Sequence, residues 1–159
     1  MRFAWLIFGL GFVLMAESGC GLAPSRRAEA PWRAAYRERT GQVTELDLFL
    51  RLPRALARHG FVIERSDRRY RDYRFETQWR YRKPFADEFE RGAVEARTRL
   101  HLRADWAGHL YELHLEAENS IRTMAGEWVD ASVTRMFETY AHDIANTIRL
   151  EVTGGIRLY

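Results

Sequence analysis

Arginines and tyrosines between Arg65 and Arg82 form the segment of this sequence with the clearest capacity for chemistry. The segment holds seven arginines and three tyrosines. Guanidinium groups donate paired hydrogen bonds to anions and stack on aromatic rings, so nucleic acid, lipid phosphate and anionic glycan all fit as ligands. Arg74, Arg80 and Arg82 occupy alternate positions of one predicted strand, and we expect them to share an outward, anion-binding face.

The composition weakens the case for a ligand in two ways. The chain has 25 basic and 22 acidic residues, a net charge of only +3, and a single lysine, Lys83. Arginine in place of lysine also arises from the codon bias of a GC-rich genome. In addition, the outward arginines of a strand are commonly solvated or paired with carboxylates.

Two alternating segments, 96–104 and 111–117, predict an antiparallel hairpin. A turn centred on 107–108 would place His101 opposite His114. The same register places three arginines opposite glutamates on the outward face: Arg97 and Glu118, Arg99 and Glu116, Arg103 and Glu112. Two imidazoles beside a carboxylate can hold Zn²⁺, but no third ligand stands at a fixed spacing, so we predict no metal site.

Motifs of the common enzyme classes do not occur in the sequence. It contains no Gly-x-Ser-x-Gly turn, glycine-rich phosphate loop, Cys-x-x-Cys pair or His-Glu-x-x-His segment. The neighbouring carboxylates Asp87 and Glu88 could act in hydrolysis only if they were buried together, and we expect them in a solvated loop. We therefore predict a protein that is not an enzyme and that binds no cofactor.

The N-terminus has the composition of an export signal. Arg2 precedes an apolar run over residues 3–16, about 14 residues, whereas a membrane-spanning helix needs about 20. Residues 18–20, Ser-Gly-Cys, resemble the bacterial lipobox, whose cysteine is acylated after cleavage of the signal. Glu17 departs from that pattern, which has an aliphatic residue at this position.

These features predict a signal peptide over residues 1–19, an acylated Cys20 with a tether over residues 20–31, and one domain over residues 32–159. Cys20 is the only cysteine, as expected for a thiol that becomes a thioether. The lipobox resemblance, with Gly21 after the cysteine, implies an outer-membrane lipoprotein that faces the periplasm, away from most nucleic acid. An uncleaved anchor and a secretory signal cut near Ala23 stay open as alternatives.

The rest of the chain predicts both helices and strands. Residues 44–59 have an apolar helical face that Pro53 should interrupt, although alternating leucines leave a strand open for the first half. Strands are predicted for 32–39, 61–64 and 73–81, with an arginine-rich turn over 67–72, a loop over 85–92 and a closing helix over 127–151.

The fold class that follows is α+β. We expect a two-layer sandwich, in which two helices cover one face of an antiparallel sheet of three to five strands. The other face of the sheet should meet solvent or a partner.

The helix that ends at residues 59–62 (His-Gly-Phe-Val), the strands after it and the long final helix resemble small outer-membrane assembly lipoproteins. Residues 56–67, with Thr77 and Trp79, resemble the helix-grip domains of the accessory lipoprotein of the β-barrel assembly machinery (BamC). The element order is also similar to that of the lipopolysaccharide-assembly lipoprotein (LptE). The resemblance implies a non-enzymatic binding or scaffold module with an envelope protein complex as partner. The competing expectation is a binder of anionic lipid or glycan.

Overall fold

The computed structural model describes residues 35–154, which form an α+β domain around one antiparallel sheet. The expected class is confirmed, but the sheet has seven strands within these residues rather than three to five. The strands are β1 (Tyr36–Val43), β2 (Ile63–Arg69), β3 (Asp72–Thr77), β4 (Arg80–Arg82), β5 (Ala93–Ala107), β6 (Leu110–Thr123) and β7 (Trp128–Asp130). Their order is β1–β6–β5–β3–β2, with β4 beside β5 and β7 beside β6. The expected signal peptide, Cys20 and tether lie outside the described residues.

Helices pack on one side of this sheet. They are α1 (Glu45–Leu50), α2 (Leu52–Arg58), α3 (Ala86–Phe89) and α4 (Arg135–Ile148), and a π-helical segment, Arg149–Thr153, continues α4. Leu52 of α2 and Phe137 of α4 share one buried cluster with Leu100 of β5 and Leu113 of β6. Within residues 35–154, no helix is long and apolar enough to cross a membrane.

The two faces of the sheet differ in composition because strand residues alternate between them. The face that packs against the helices, here the core face, carries the buried apolar residues of β3, β5 and β6, such as Phe75, Leu102 and Leu115. The opposite face, here the open face, carries mainly charged and polar residues. The predicted alternation of the long hairpin strands is confirmed, with Leu100 buried and Arg99 facing outward.

The broken helix after β1 agrees with the expectation for Pro53. The helix is interrupted at Arg51, between α1 and α2, and Pro53 stands in the first turn of α2, where its missing N–H costs no hydrogen bond. Thr44 caps α1, since its Oγ1 accepts a hydrogen bond from the Asp47 N–H at 3.1 Å. The first half of this segment is therefore helical, and the strand alternative is wrong.

Two element boundaries differ from the sequence-based expectation. The turn expected over residues 67–72 shrinks to Tyr70 and Arg71, because residues 65–69 pair with β3 and extend β2. The closing helix begins at Arg135 instead of residue 127. Residues 128–130 instead pair with β6 as β7, so main-chain pairing prevails over a helical apolar pattern at this point.

The β5–β6 hairpin has a register two residues away from the expected one. Its turn is Gly108–His109, and Gly108 has φ +85°, a conformation suited to glycine at the first position of a two-residue loop. Arg99 consequently lies opposite Glu118, and Arg103 opposite His114. The expected pairs are wrong: Arg97 with Glu118, Arg99 with Glu116, Arg103 with Glu112 and His101 with His114.

The strand expected over residues 73–81 is interrupted at residues 78–79. In β3 the odd-numbered residues, such as Phe75, face the core. In β4 the register is Arg80 with Thr98 and Arg82 with Ala96, so the even-numbered residues face the core. Because of the interruption, odd-numbered residues face the core in β3, whereas even-numbered residues face it in β4.

Candidate functional site

The three candidate anion-binding arginines do not lie on one face. Arg74 is exposed on the open face, opposite Arg103 of β5. Arg80 and Arg82 lie on the core face, because the interruption at residues 78–79 reverses the alternation. The expectation of a shared outward face is wrong, and anion binding stays a prediction for Arg74 alone.

Arg82 belongs to a buried polar cluster. Its Nη1 and Nη2 each donate to one oxygen of the Glu88 carboxylate at 2.7 Å, and Nη2 also donates to Asn119 Oδ1 at 2.9 Å. Asn119 Nδ2 and the Phe85 N–H each donate to Glu88 at 2.8 Å. The guanidinium also lies over the Phe85 ring, 4.0 Å from its centroid.

This cluster overturns the expectation that Glu88 is solvated in a loop. Glu88 lies in α3 with 1% of its side chain exposed. Burial alone would raise the pKa of Glu88, but the hydrogen bonds from Arg82, Phe85 and Asn119 together hold it below its ordinary value. Because both charges are satisfied inside the fold, the Arg82–Glu88 pair is a structural feature rather than a ligand site.

Arg80 is likewise engaged within the domain. Its Nη1 donates to the hydroxyl of Tyr140 at 2.5 Å, and its guanidinium lies 5.5 Å from the centre of the Phe61 ring. It thus joins β4 to α4 and to the segment that follows α2. Its role is in packing.

The open face carries a layered group of aromatic rings and guanidiniums, here called the Trp–Arg stack: Trp79, Tyr81, Arg97, Arg99 and Trp128. Arg97 lies between the two tryptophans, with its guanidinium carbon 4.3 Å from each ring centroid. The guanidinium carbon of Arg99 lies 4.6 Å from the centroid of Trp79, and Tyr81 meets Trp128 edge to face at 5.8 Å. Each contact between a cation and a ring contributes about 0.5–2 kcal/mol.

The two arginines of the Trp–Arg stack have different electrostatic surroundings. Arg99 is paired with Glu76 at 2.6 Å and with Glu118 at 3.0 Å. Arg97 has no carboxylate partner among residues 35–154, and its buried Nε has no hydrogen-bond acceptor there. The positive charge of Arg97 is therefore stabilised by aromatic rings alone within the described part of the chain.

The histidines of the hairpin do not converge on one point. His101 Nε2 lies 3.1 Å from Glu118, whereas His114 Nε2 lies 3.7 Å from both Asp105 and Glu112. Among residues 35–154, no three His, Cys, Asp or Glu side chains are arranged to hold a metal ion. The hydrogen bond with His101, together with Arg99 and against the effect of burial, lowers the pKa of Glu118 to about 2.

A cluster that joins β1 to α4 was not indicated by any sequence pattern. Glu38 accepts hydrogen bonds from the Tyr36 hydroxyl and from Arg149, and His142 Nδ1 lies 2.9 Å from its carboxylate. Burial and the neighbouring Glu38 raise the pKa of Tyr36, so the phenol keeps its proton. Glu38 and His142 are more than a hundred residues apart, and no local signal marks such a contact.

No protein-family model and no curated protein matches this sequence. The geometry of the domain is therefore the basis for a functional proposal.

Proposed function

We propose that this chain is a non-catalytic binding module of the bacterial cell envelope, held at the outer membrane by a lipid on Cys20. The open face of the sheet binds a protein component of an envelope complex. The Trp–Arg stack is the observation that carries this proposal. Tryptophan, tyrosine and arginine are the residue types on which binding energy concentrates at protein interfaces.

The electrostatics of Arg97 favour a protein partner with an acidic group. Its guanidinium stacks on Trp79 and Trp128 but has no carboxylate within residues 35–154. A partner carboxylate at the rim of the Trp–Arg stack would supply the missing counter-charge while the rings bury apolar area. Arg99 is already neutralised by Glu76 and Glu118, so such a partner gains little from it.

The anchor is tested separately from the binding face. If Cys20 is acylated, cells grown with radioactive palmitate will label the full chain, and Cys20→Ala will remove the label. Retention of the label in Cys20→Ala would contradict this part of the proposal.

Site-specific photo-crosslinking in native envelopes tests the binding face. A photoreactive residue replaces Arg103, which is exposed on the open face, or Leu150, which is exposed on the helical side as the matched control. We expect a discrete protein adduct from position 103 and none from position 150. Trp128→Ala should reduce the adduct about tenfold or more, as expected for an interface tryptophan.

High salt distinguishes binding of a protein from the competing function, which is binding of anionic lipid or glycan. An adduct that persists in high salt agrees with an apolar protein interface, because ionic strength screens charges but not apolar contact. Equal adducts from both positions, or an adduct unchanged in Trp128→Ala, would exclude the Trp–Arg stack as the binding face. Circular dichroism of each variant verifies that the fold is intact.

A further inference from the structure

The first short helix exposes an apolar face. Leu46, Phe49 and Leu50 are spaced three and four residues apart, so they lie on one side of α1. They are 67%, 46% and 53% exposed, whereas Leu48 is fully buried in the core. The helix is therefore apolar on the side that faces away from the core as well as on the side that packs against it.

This apolar face continues into the β2–β3 hairpin. The Phe49 ring meets the Tyr73 ring edge to face at 5.1 Å. Arg68 of β2 places its guanidinium carbon 5.4 Å from the centre of the same ring. An exposed arginine thus lies next to the exposed apolar face of α1, with Tyr73 between them.

A second line of ring contacts reaches the turn of that hairpin. Tyr73 contacts Tyr111 at 5.3 Å, and Tyr111 contacts Trp106 at 5.0 Å. Arg71, in the turn, lies 5.5 Å from the Trp106 ring. These contacts connect α1 with the turn in one surface, here called the tip surface: Leu46, Phe49, Leu50, Arg68, Tyr70, Arg71 and Trp106.

The tip surface is positively charged. Arg68 and Arg71 form no ion pair with another of residues 35–154, and the nearby carboxylate of Glu45 in α1 accepts a hydrogen bond from the Tyr73 hydroxyl. The carboxylates closest to them along the chain are engaged elsewhere. Asp67 pairs with Arg65 at 2.8 Å, and Asp72 Oδ1 accepts a hydrogen bond from the Trp106 N–H at 3.0 Å.

We propose that the tip surface docks on a membrane that contains anionic phospholipid. The apolar side chains of α1 enter the boundary between headgroups and acyl chains, and the guanidiniums of the turn bind lipid phosphates. Tyr70 and Trp106 have the amphipathic rings that favour this depth. Exposed leucine and phenylalanine beside unneutralised arginine match the combination of apolar and anionic groups that a phospholipid surface presents.

The number of residues between Cys20 and β1 is compatible with this contact. Sixteen peptide units separate Cys20 from Tyr36, and such a chain spans at most about 55 Å. β1 then runs eight residues, about 27 Å, to the end of the sheet where α1 begins. A chain of this length is long enough for a lipid on Cys20 and the tip surface to contact the same bilayer. The docking surface is separate from the open face, so either proposal can fail alone.

The test places an environment-sensitive fluorophore on the full chain reconstituted in vesicles. Phe49→Cys carries the label on the tip surface, and Met124→Cys, an exposed apolar position in the β6–β7 turn at the other end of the sheet, is the matched control. The unsubstituted chain measures the label taken up by Cys20. In vesicles with about one third phosphatidylglycerol, we expect brominated lipid to quench the label at position 49 at least twofold. At position 124 we expect no quenching.

Charge variants distinguish docking through the tip surface from nonspecific electrostatic binding of the whole domain to anionic vesicles. Arg68→Glu with Arg71→Glu should abolish the quenching, as should vesicles of phosphatidylcholine alone. Arg91→Glu with Arg135→Glu makes the same change in net charge away from the tip surface and should leave the quenching intact. An unquenched label at position 49, or equal quenching on neutral vesicles, would overturn the proposal. So would equal loss in both pairs of variants.

Discussion

Arg82 and Glu88 form an ion pair that water scarcely reaches, with 8% and 1% of their side chains exposed. Asn119 and the Phe85 N–H complete the hydrogen bonding of Glu88, so each buried oxygen has donors. A pair of this kind adds little net stability over an apolar core, because both charges lose their hydration. Removal of only one member of the pair is costly, because the buried charge that remains has no charged partner.

Arg82→Met tests this asymmetry. We expect a loss of about 3–5 kcal/mol in the free energy of unfolding at neutral pH, because Glu88 becomes an unpaired buried carboxylate. Without Arg82, burial raises the pKa of Glu88 in the folded state. A raised pKa favours the folded state at low pH, so the loss should be smaller near pH 4 than at pH 7. Urea denaturation at both pH values measures it.

Two further variants serve as controls for Arg82→Met. Arg74→Met removes an exposed arginine and should change the unfolding free energy by less than about 0.5 kcal/mol. Adding Glu88→Leu to Arg82→Met should recover much of the loss. If Arg74→Met and Arg82→Met were equally harmful, Arg82 would have no special structural role.

Single side chains are the level at which the sequence was least informative about this protein. The arginine-rich segment was recognisable, but its division between the two faces depends on the interruption at residues 78–79, which has no proline or glycine to mark it. Glu88 looked like a solvated residue because its partner Asn119 comes from a strand 31 residues away. Contacts of this kind depend on the assembled sheet.

The two hairpins at one end of the sheet both have two-residue turns, but the turns begin with different residue types. Gly108 begins the β5–β6 turn with a positive φ, which glycine adopts without strain. Tyr70 begins the β2–β3 turn with φ +58°, which is costly for a residue with a Cβ atom. At 89% exposure, the Tyr70 side chain has little packing to offset that cost.

Tyr70→Gly should therefore stabilise the domain. We expect a gain of about 0.5–1 kcal/mol in unfolding free energy, because relief of backbone strain exceeds the entropy that glycine adds to the unfolded chain. Arg71→Gly, at the next residue and with an ordinary φ, should instead be neutral or destabilising. Thermal and urea denaturation of the two variants provide the comparison. A loss of stability in Tyr70→Gly would show that the tyrosine ring matters to the fold.

Elements marked by strong local signals were predictable, and those fixed by pairing were not. Thr44 and Pro53 marked the start and the interruption of the α1–α2 segment, and the structure confirms both. Gly108 is also a local signal, but the turn was expected one residue too early, so the predicted register of the hairpin was wrong. Val129, in contrast, had the spacing of a helical apolar stripe but pairs with Ile121 of β6 as part of β7.

Over the whole domain, the two faces of the sheet are held by different forces. The core face is mainly apolar, apart from the cluster around Arg82 and Glu88, and it joins the sheet to α1, α2 and α4. The open face is tied across strands by charges, with Arg99 of β5 between Glu76 of β3 and Glu118 of β6. The class followed from alternation in the strands together with the apolar helical faces of two segments. The number of strands did not, because short strands such as β4 and β7 have too few residues to show a pattern.

The ion pairs of the open face predict how the free energy of unfolding depends on pH. The folded-state pKa of Glu118, about 2, lies below its ordinary value of 4.5, so the carboxylate stabilises the fold above about pH 4.5. That contribution declines as pH falls towards 2. Because solvent screens this half-buried group, Glu118→Gln should lower the unfolding free energy by only about 1–2 kcal/mol at pH 7, and by much less near pH 2. Urea titrations across this range, with the exposed Glu64→Gln as control, measure the difference.

Two residues, 78 and 79, separate β3 from β4, and their number determines which face of the sheet each side chain of β4 occupies. They reverse the alternation, so Arg82 turns inward to Glu88 and Tyr81 turns outward to Trp128. Loss of both residues would join β3 to β4 in uninterrupted alternation and exchange these orientations, whereas loss of one would keep them. During divergence of this lineage, a length change here and the identities at positions 81, 82 and 88 should therefore be inherited together. Descendants that lack both residues would lose the buried ion pair and gain an arginine surface in its place.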